Sequence, residues 1–448
     1  MNIPGDVHER LATQKIRRIK LGVTDIDGIL RGKYISLDKF AASGAGFGFC
    51  DVIFGWDIAD ALYDNCKYTG WHTGYPDAQA RIDYTTFRTI PWEPDTAFFL
   101  VDLFGKDGEP LVISPRQVLQ RVIERVKSAG FCARFAAEYE FWIFRETPQT
   151  LREKEFHNLE PLSPGMFGYS ILRASQNSPL VLDLIDQLGG FNVPLEGFHT
   201  ETGPGVFEAA ITVDEALAAA DKAALFKTAV KEICARHGVI PTFMAKWNAD
   251  LPGSSGHLHQ SLYSNDGAKN MFFEEGPQAS AFMQSYIAGL VQLIPEFMAM
   301  IAPTVNSYKR TVPGTWAPTN ATWGEDNRTT AVRAIPGSAK SARVELRLSA
   351  ADMNPYLAIA ASLAAGLEGI ARNLEPPPAT TNGYAATDCE SLPRDLSEAV
   401  CRFRGSETAR RWFGAEFVEH YGDTRVWEMH QFARHITDWE LSRYFEAI

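Results

Sequence analysis

The chain has 448 residues, of which 45% are apolar and 22% charged, and its formal net charge is −12. This composition predicts a globular protein with room for one large core or two domains. The acidity excludes the broad basic footprint of a nucleic-acid partner, and it requires any anionic substrate to be held by local arginines or by metal ions.

The first twenty residues contain no apolar run of the secretory type. The longest mostly apolar stretch, Tyr356 to Leu367, has twelve residues, too few to cross a bilayer and suited to a buried helix. Six cysteines (Cys50, Cys66, Cys132, Cys234, Cys389 and Cys401) are scattered without CxxC spacing. They predict reduced thiols in a cytoplasmic protein, and no zinc site.

From about residue 16 to 105 the chain reads as β-rich. Lys20 to Thr24, Lys33 to Ser36 and Ala97 to Leu103 are strand candidates, with turns at Asp27-Gly28 and Pro76-Asp77. Gly105 to Pro110 is a connector. A helix then starts with Ser114 as N-cap and Pro115 at its first position. It places Val118, Val122, Ile123 and Val126 on one face and ends at Gly130. A domain boundary is expected near residue 107, giving domains of 16–107 and 108–448. Further helices are expected at 214–237, 277–300, 354–373, 395–403 and 407–421, with a loop from Pro376 to Pro393. The layout predicts an α+β fold.

Three strands carry charge where a bland surface would not. In Arg134 to Phe144, Glu138 and Glu140 share a face, because side chains two apart in a strand point the same way. In Gly256 to Leu262, His257, His259 and Ser261 oppose Leu258 and Leu262. In Arg343 to Leu348, Arg343, Glu345 and Arg347 oppose Val344, Leu346 and Leu348. One such strand would fit an antiparallel sheet with a wet face. Three together predict a sheet whose polar face is an active site, with glutamates and histidines for hard divalent metals and arginines for carboxylates or phosphates. Glu196, Glu201 and Glu208 fall in a stretch whose glycines and proline allow a tight loop that brings Glu201 and Glu208 together.

These motifs, in order, resemble the glutamine synthetase family over essentially the whole chain. They are Glu138-Tyr-Glu140, His199-Thr-Glu201 with Glu208, Gly253-Ser-Ser-Gly-His257-Leu-His259-Gln-Ser261 and Asn306-Ser-Tyr-Lys-Arg310 with Pro313-Gly314. Asn327-Arg328 with Arg333, Lys340-Ser-Ala-Arg343-Val-Glu345-Leu-Arg347 and Asn354-Pro-Tyr356 complete the set. The resemblance implies a small β-grasp N-terminal domain and a large catalytic domain with a curved antiparallel sheet. It also implies a homo-oligomer, a hexameric ring or a dodecamer, with sites between neighbouring subunits. Its cofactors would be ATP and two or three Mg²⁺ or Mn²⁺. Glu140, Glu201 and Glu208 would hold one metal, and Glu138, His257 and Glu345 another. Glu196, His259, Ser261, Lys340 and Arg343 would contact ATP. Gly253, Arg310 and Arg347 would place glutamate, and Arg328 the transferred phosphate. Two metals and several arginines would align two mutually repelling anions for in-line transfer.

The chain departs from the family pattern in two places that bear on the same small site. Members that use ammonium carry a glutamate in a YEAP-like tetrapeptide. Here Thr315-Trp316-Ala317-Pro318 puts Trp316 at that position. The aspartate of the family's FDGSS-like segment has its nearest counterpart in Asp57, within Phe54-Gly-Trp-Asp57. An indole in place of a base suits an organic amine, alkyl, aryl or polyamine, as in the γ-glutamylamine ligase branch. The alternatives are glutamine synthesis from ammonium, a non-catalytic assembly, and a kinase of small carboxylates. Tyr384 lies where some bacterial members are adenylylated, and the Asn-Gly-Tyr-Ala context predicts an unmodified tyrosine.

Overall fold

A computed structural model describes residues 3–42, 46–276, 278–387 and 389–448. The first sheet contains β1 (Arg18–Thr24), β2 (Leu30–Ser36), β3 (Phe47–Cys50), β4 (Asp77–Thr89) and β5 (Thr96–Phe104), in the order β2-β1-β5-β4-β3. β1 and β5 pair in parallel, and the other pairs are antiparallel. Ala97 to Val101 of β5 form an unbroken apolar run because both faces of the strand are covered there. Ala97, Phe99, Val101 and Leu103 fill a core with Val7, Ile19 and Leu21, whereas Phe98 and Leu100 join the main core.

The second sheet contains β6 (Phe131–Phe144), β7 (Leu195–Thr200), β8 (Val206–Ile211), β9 (Asp214–Glu215), β10 (Ile240–Thr242), β11 (Gly256–Ser264), β12 (Trp323–Glu325), β13 (Val332–Ile335) and β14 (Arg343–Leu346). Its order is β12-β13-β14-β11-β6-β8-β7, with β9 and β10 pairing with β6. It is antiparallel except for β12 with β13, which run parallel. The fold is α+β, as the motifs predict.

One face of this sheet is greasy. Phe135, Ala137, Tyr139, Phe141 and Ile143 alternate into the core along β6. They meet helices Pro115–Ser128, Ala216–Arg236, Ala281–Ile301 and Pro355–Ala371. Burying each large apolar side chain is worth about 1.5–3 kcal/mol. The opposite face of β6 keeps Arg134, Ala136, Glu138 and Glu140 half-buried.

Several expected boundaries shift for physical reasons. Ser114 occupies the N-cap position, but its side chain makes no capping hydrogen bond. The helix expected at 214–237 begins at Ala216, because Asp214 and Glu215 pair with Phe135 and Arg134. The helix expected at 277–300 runs from Ala281 to Ile301, and Ser280 caps it by accepting from the Met283 N–H; residue 277 lies outside the described residues. The helix expected at 407–421 is two helices, Glu407–Phe413 and Ala415–Ala433. Gly414, at φ +90°, breaks them apart where the apolar pattern runs on. Among the described residues, no helix is long and apolar enough to cross a membrane.

Candidate active site

The half-buried face of the second sheet gathers acids and imidazoles into cross-strand ranks. His257 stands opposite Glu138, His259 opposite Glu345, Glu140 opposite Glu208, and Glu208 opposite His199. The turn from β7 to β8 brings Glu201 to the same place. Gly203 and Gly205 both have positive φ there, and a Cβ on Gly203 would stand 2.2 Å from the Trp142 ring. These residues line a cleft of about 1330 Å³.

Among the described residues, three donor groups within it are compact enough to grip a cation. They are Glu138, Glu208 and His257; Glu138, His259 and Glu345; and His199, Glu201 and Glu208. Carboxylate oxygens with one or two imidazoles suit Mg²⁺ or Mn²⁺. The grouping differs from the expected allocation. Glu140 lines the cleft but gives one oxygen to the Ser255 N–H at 2.7 Å, while His199 and His259 enter the donor sets.

Burial and neighbouring charges set the titration of each member of the cluster. Burial disfavours the charged Glu138, but hydrogen bonds from His257 and His259 outweigh it and hold its carboxyl below the usual range. Burial also opposes ionisation of Glu345, and nearby Arg347, His259 and His257 still bring it down to about 2. Glu208 goes the other way. Burial, reinforced by the charges of Glu138 and Glu140, pushes it up to about 7. His199 Nε2 lies 3.0 Å from Glu208 Oε1, and this contact overcomes burial to raise the imidazole to about 9. A divalent cation held among these carboxylates would relieve the same repulsion.

Positive charge borders the acids. Arg333 Nη1 pairs with Glu345 at 2.9 Å, and Arg347 Nη1 pairs with the other Glu345 oxygen. The Arg343 Nε–H donates to His259 Nδ1 at 3.2 Å, which assigns that nitrogen as an acceptor. Arg310 is buried and donates to the Leu348 and Arg347 carbonyls at 3.2 and 3.1 Å. Glu196, Ser261, Gly253, Arg328 and Lys340 line the same cleft. Trp316 closes one side of it with φ +61° and its side chain exposed.

Asp57 is not brought to the cleft of its own chain. Its Oδ1 accepts from the Ala59 and Ala61 N–H groups at 2.8 and 2.9 Å, and its Oδ2 from the Trp427 indole at 2.9 Å. Residues without an expected role also line the cleft, among them His199, Arg333 and Tyr169. His199 and Arg333 sit inside recognisable motifs. Tyr169, which stacks on His199 with ring centroids 4.2 Å apart, comes from an irregular segment with no sequence signal. Tyr384, read as a loop tyrosine, has its hydroxyl oxygen buried beside the Trp316 backbone. Burial raises that phenol's titration, and Arg347, the Trp316 backbone and Arg310 oppose it.

Comparison with known proteins matches residues 112–444 to the glutamine synthetase catalytic domain. The chain is 49% identical to type-1 glutamine synthetase 2 of Dictyostelium discoideum, over 100% of this chain and 87% of that protein. It is 40% identical to the glutamate–isopropylamine ligase of a Pseudomonas species, over 99% and 98%. A solved structure described as a GmaS/ADP complex superposes with a TM-score of 0.86 at 26% identity, over 99% of this chain and 100% of that one. Members of this family use ATP and divalent metals, and the acid cluster described above fits that habit. The chain belongs to the glutamine synthetase family, in its γ-glutamylamine ligase branch, and is an ATP-dependent glutamate–amine ligase.

Proposed function

We propose that this enzyme joins the side-chain carboxylate of glutamate to a primary amine other than ammonia. In the first step the β,γ-phosphoanhydride of ATP breaks and a bond forms between the γ-phosphorus and a glutamate carboxylate oxygen, giving γ-glutamyl phosphate and ADP. In the second, the amine nitrogen attacks the acyl carbon, phosphate leaves, and the amine gives up a proton. Metal ions at the acid cluster would neutralise the phosphates as they transfer. Glu138, Glu140, Glu201, Glu208, His257 and Glu345 would hold them, with His199 and His259 beside them. Arg310, Arg347 and Gly253 would seat glutamate. Arg328 would meet the transferring phosphoryl group, and Glu196, His259, Ser261, Lys340 and Arg343 the nucleotide. No nucleophilic side chain is needed, since preorganised positive charge carries the catalysis.

The observation that carries the amine is Trp316 on the wall of the cleft, at the position where ammonium-using members keep a glutamate. The name of the Pseudomonas relative supports an organic amine. Ammonium is the second reading, favoured by the name of the Dictyostelium relative. We further propose a division near residue 107, and a ring-shaped homo-oligomer in which Asp57 reaches the cleft of an adjacent subunit.

The test is ADP release by the purified protein with glutamate, ATP and Mg²⁺ or Mn²⁺ against a panel of amines. Higher kcat/KM for an organic amine than for ammonium is expected. Ammonium outperforming every organic amine would sink this reading. ADP release without any amine would point to a carboxylate kinase, and no turnover to a non-catalytic assembly.

A further inference from the structure

Asp352 is joined by two hydrogen bonds to the start of the turn that carries Arg310. Its Oδ2 accepts from the Thr304 and Ser307 hydroxyls, both at 2.8 Å. Those two residues also bracket each other. The Thr304 N–H donates to Ser307 Oγ at 3.0 Å, and the Ser307 N–H donates to Thr304 Oγ1 at 3.1 Å. Each hydroxyl thus accepts from a backbone N–H and gives its own proton to the carboxylate. One residue before the turn, the Asn306 amide clasps Lys246, accepting from its N–H at 2.9 Å and donating to its carbonyl at 2.8 Å.

The turn is the 3₁₀ helix Ser307–Arg310. Residues three apart in such a helix eclipse, so Ser307 and Arg310 leave it on the same side. Both meet the run of chain that follows β14, which holds Arg347 at its start and Asp352 at its end. Arg310 donates to the Arg347 and Leu348 carbonyls at 3.1 and 3.2 Å, and the Ala350 N–H donates to the Ile301 carbonyl at 3.1 Å. The same run is tied to the residues just after Gly253. The Ala351 N–H donates to the Ser254 carbonyl at 3.1 Å, and the Gly256 N–H to the Ser349 carbonyl at 2.9 Å. Asp352 therefore closes one end of a seam whose other end is the contact of Arg310 with Arg347.

We propose that Asp352 is a positioning residue for glutamate: it fixes the Ser307–Arg310 turn against the run that carries Arg347, so that the two guanidinium groups keep one spacing. The inference rests on the reading that Arg310 and Arg347 seat glutamate. Like charges repel, so the spacing of the two groups depends on how firmly their carriers are joined. A misplacement of about 1 Å in such groups can cost ~10²-fold. Asp352 acts through Arg310 and touches neither substrate.

The experiment measures ADP release by the full-length protein against glutamate and against ATP, with the amine that serves the wild type best held at saturation. It compares Asp352→Ala, Asp352→Asn, Ser307→Ala and Arg310→Lys. We expect Asp352→Ala to raise the glutamate KM about tenfold or more and the ATP KM by less than about twofold. Asp352→Asn keeps an oxygen that can accept from both hydroxyls, so its glutamate KM should stay within about twofold of wild type. Ser307→Ala removes one of the two donors and should raise the glutamate KM about three- to fivefold. If Asp352→Ala does not fold, Ser307→Ala carries the test, because it leaves the carboxylate its bond from Thr304. A glutamate KM that these variants leave unchanged, or a rise shared equally with ATP, overturns the inference even if Arg310→Lys raises that KM. Asp352→Asn as poor as Asp352→Ala overturns it too, since the charge and not the two hydrogen bonds would then govern binding. An unchanged glutamate KM in Arg310→Lys overturns the seating of glutamate by that residue, and this inference with it.

Discussion

Gly253 and Arg310 meet at the cleft so closely that a Cβ on Gly253 would stand 2.7 Å from the Arg310 Cγ and 2.5 Å from the Ala245 carbonyl oxygen. Neither atom can yield freely. Ala245 O also accepts from the Ser254 N–H at 2.8 Å, and Arg310 is held by the Leu348 and Arg347 carbonyls. Gly253→Ala should therefore displace the guanidinium. A shift of about 1 Å in a positioning group can cost ~10²-fold. We expect the glutamate KM to rise at least tenfold, with little change in the ATP KM. Steady-state kinetics in both substrates checks this, and an unchanged glutamate KM would show that Arg310 does not seat that substrate.

This floor of the cleft was partly readable from the sequence. Glu138, His257 and Glu345 could be placed on one face because strand alternation has a period of two and needs only local sequence. That His257 would stand opposite Glu138, and His259 opposite Glu345, depends on register across β6, β11 and β14, which the alternation alone does not fix. Tyr169 was not readable, since it reaches His199 from an irregular segment 30 positions away. The break at Gly414 was hidden because a helical apolar pattern continues on both sides. The engagement of Asp57 with Trp427 joins residues 370 positions apart, a contact that no local pattern encodes.

Glu138 belongs to two of the three donor groups, so its loss should be felt at more than one metal position. A ligand that binds the folded state alone stabilises it by about 2.7 kcal/mol at a hundred times its Kd. Mn²⁺ added to chelator-treated protein should raise the melting temperature, and Glu138→Gln should lose most of that rise. Its amidated side chain fills the space but gives up the charge-assisted hydrogen bonds from His257 and His259, so each protein's rise is read against its own metal-free melt. An identical Mn²⁺ response in wild type and variant would remove Glu138 from the metal set.

Away from the cleft, the Lys227 Nζ donates to the Met353 carbonyl at 2.6 Å and lies 5.2 and 5.9 Å from the Tyr139 and Phe243 ring centroids. Burial pushes this amine down to about 7, with the charge of Asp352 opposing. In the unfolded chain a lysine titrates near 10.4. Between pH ~7 and ~10.4 the unfolded state therefore binds the extra proton, and this group makes stability rise with pH; below pH ~7 both states are protonated and the dependence disappears. Lys227→Met should abolish that rise. Denaturant midpoints at pH 7 and 9.5 for both proteins should show wild type gaining on the variant at the higher pH. Parallel shifts would mean that Lys227 titrates normally in the fold.

Trp316 holds φ +61°, a left-handed conformation that costs a non-glycine residue about 1–2 kcal/mol. A bulky residue kept at such a cost at the edge of a site suggests that the indole is wanted there. Trp316→Gly tests the space and Trp316→Glu tests the base. The glycine variant should melt no lower than wild type, because glycine adopts this φ freely, yet should lose kcat/KM for organic amines by about tenfold as the aromatic wall disappears. The glutamate variant should gain turnover with ammonium. An alkylamine or ammonium is almost wholly protonated at pH 7, with roughly one alkylamine in two thousand neutral, so a carboxylate that accepts the proton matters most for the smallest and most solvated cation. If both variants keep the wild-type order of amines, Trp316 lines the cleft without reading the substrate. If glycine alone changes the order, the indole selects by shape. If glutamate raises ammonium use above that of the glycine variant, the absent base is what turned this enzyme away from ammonia.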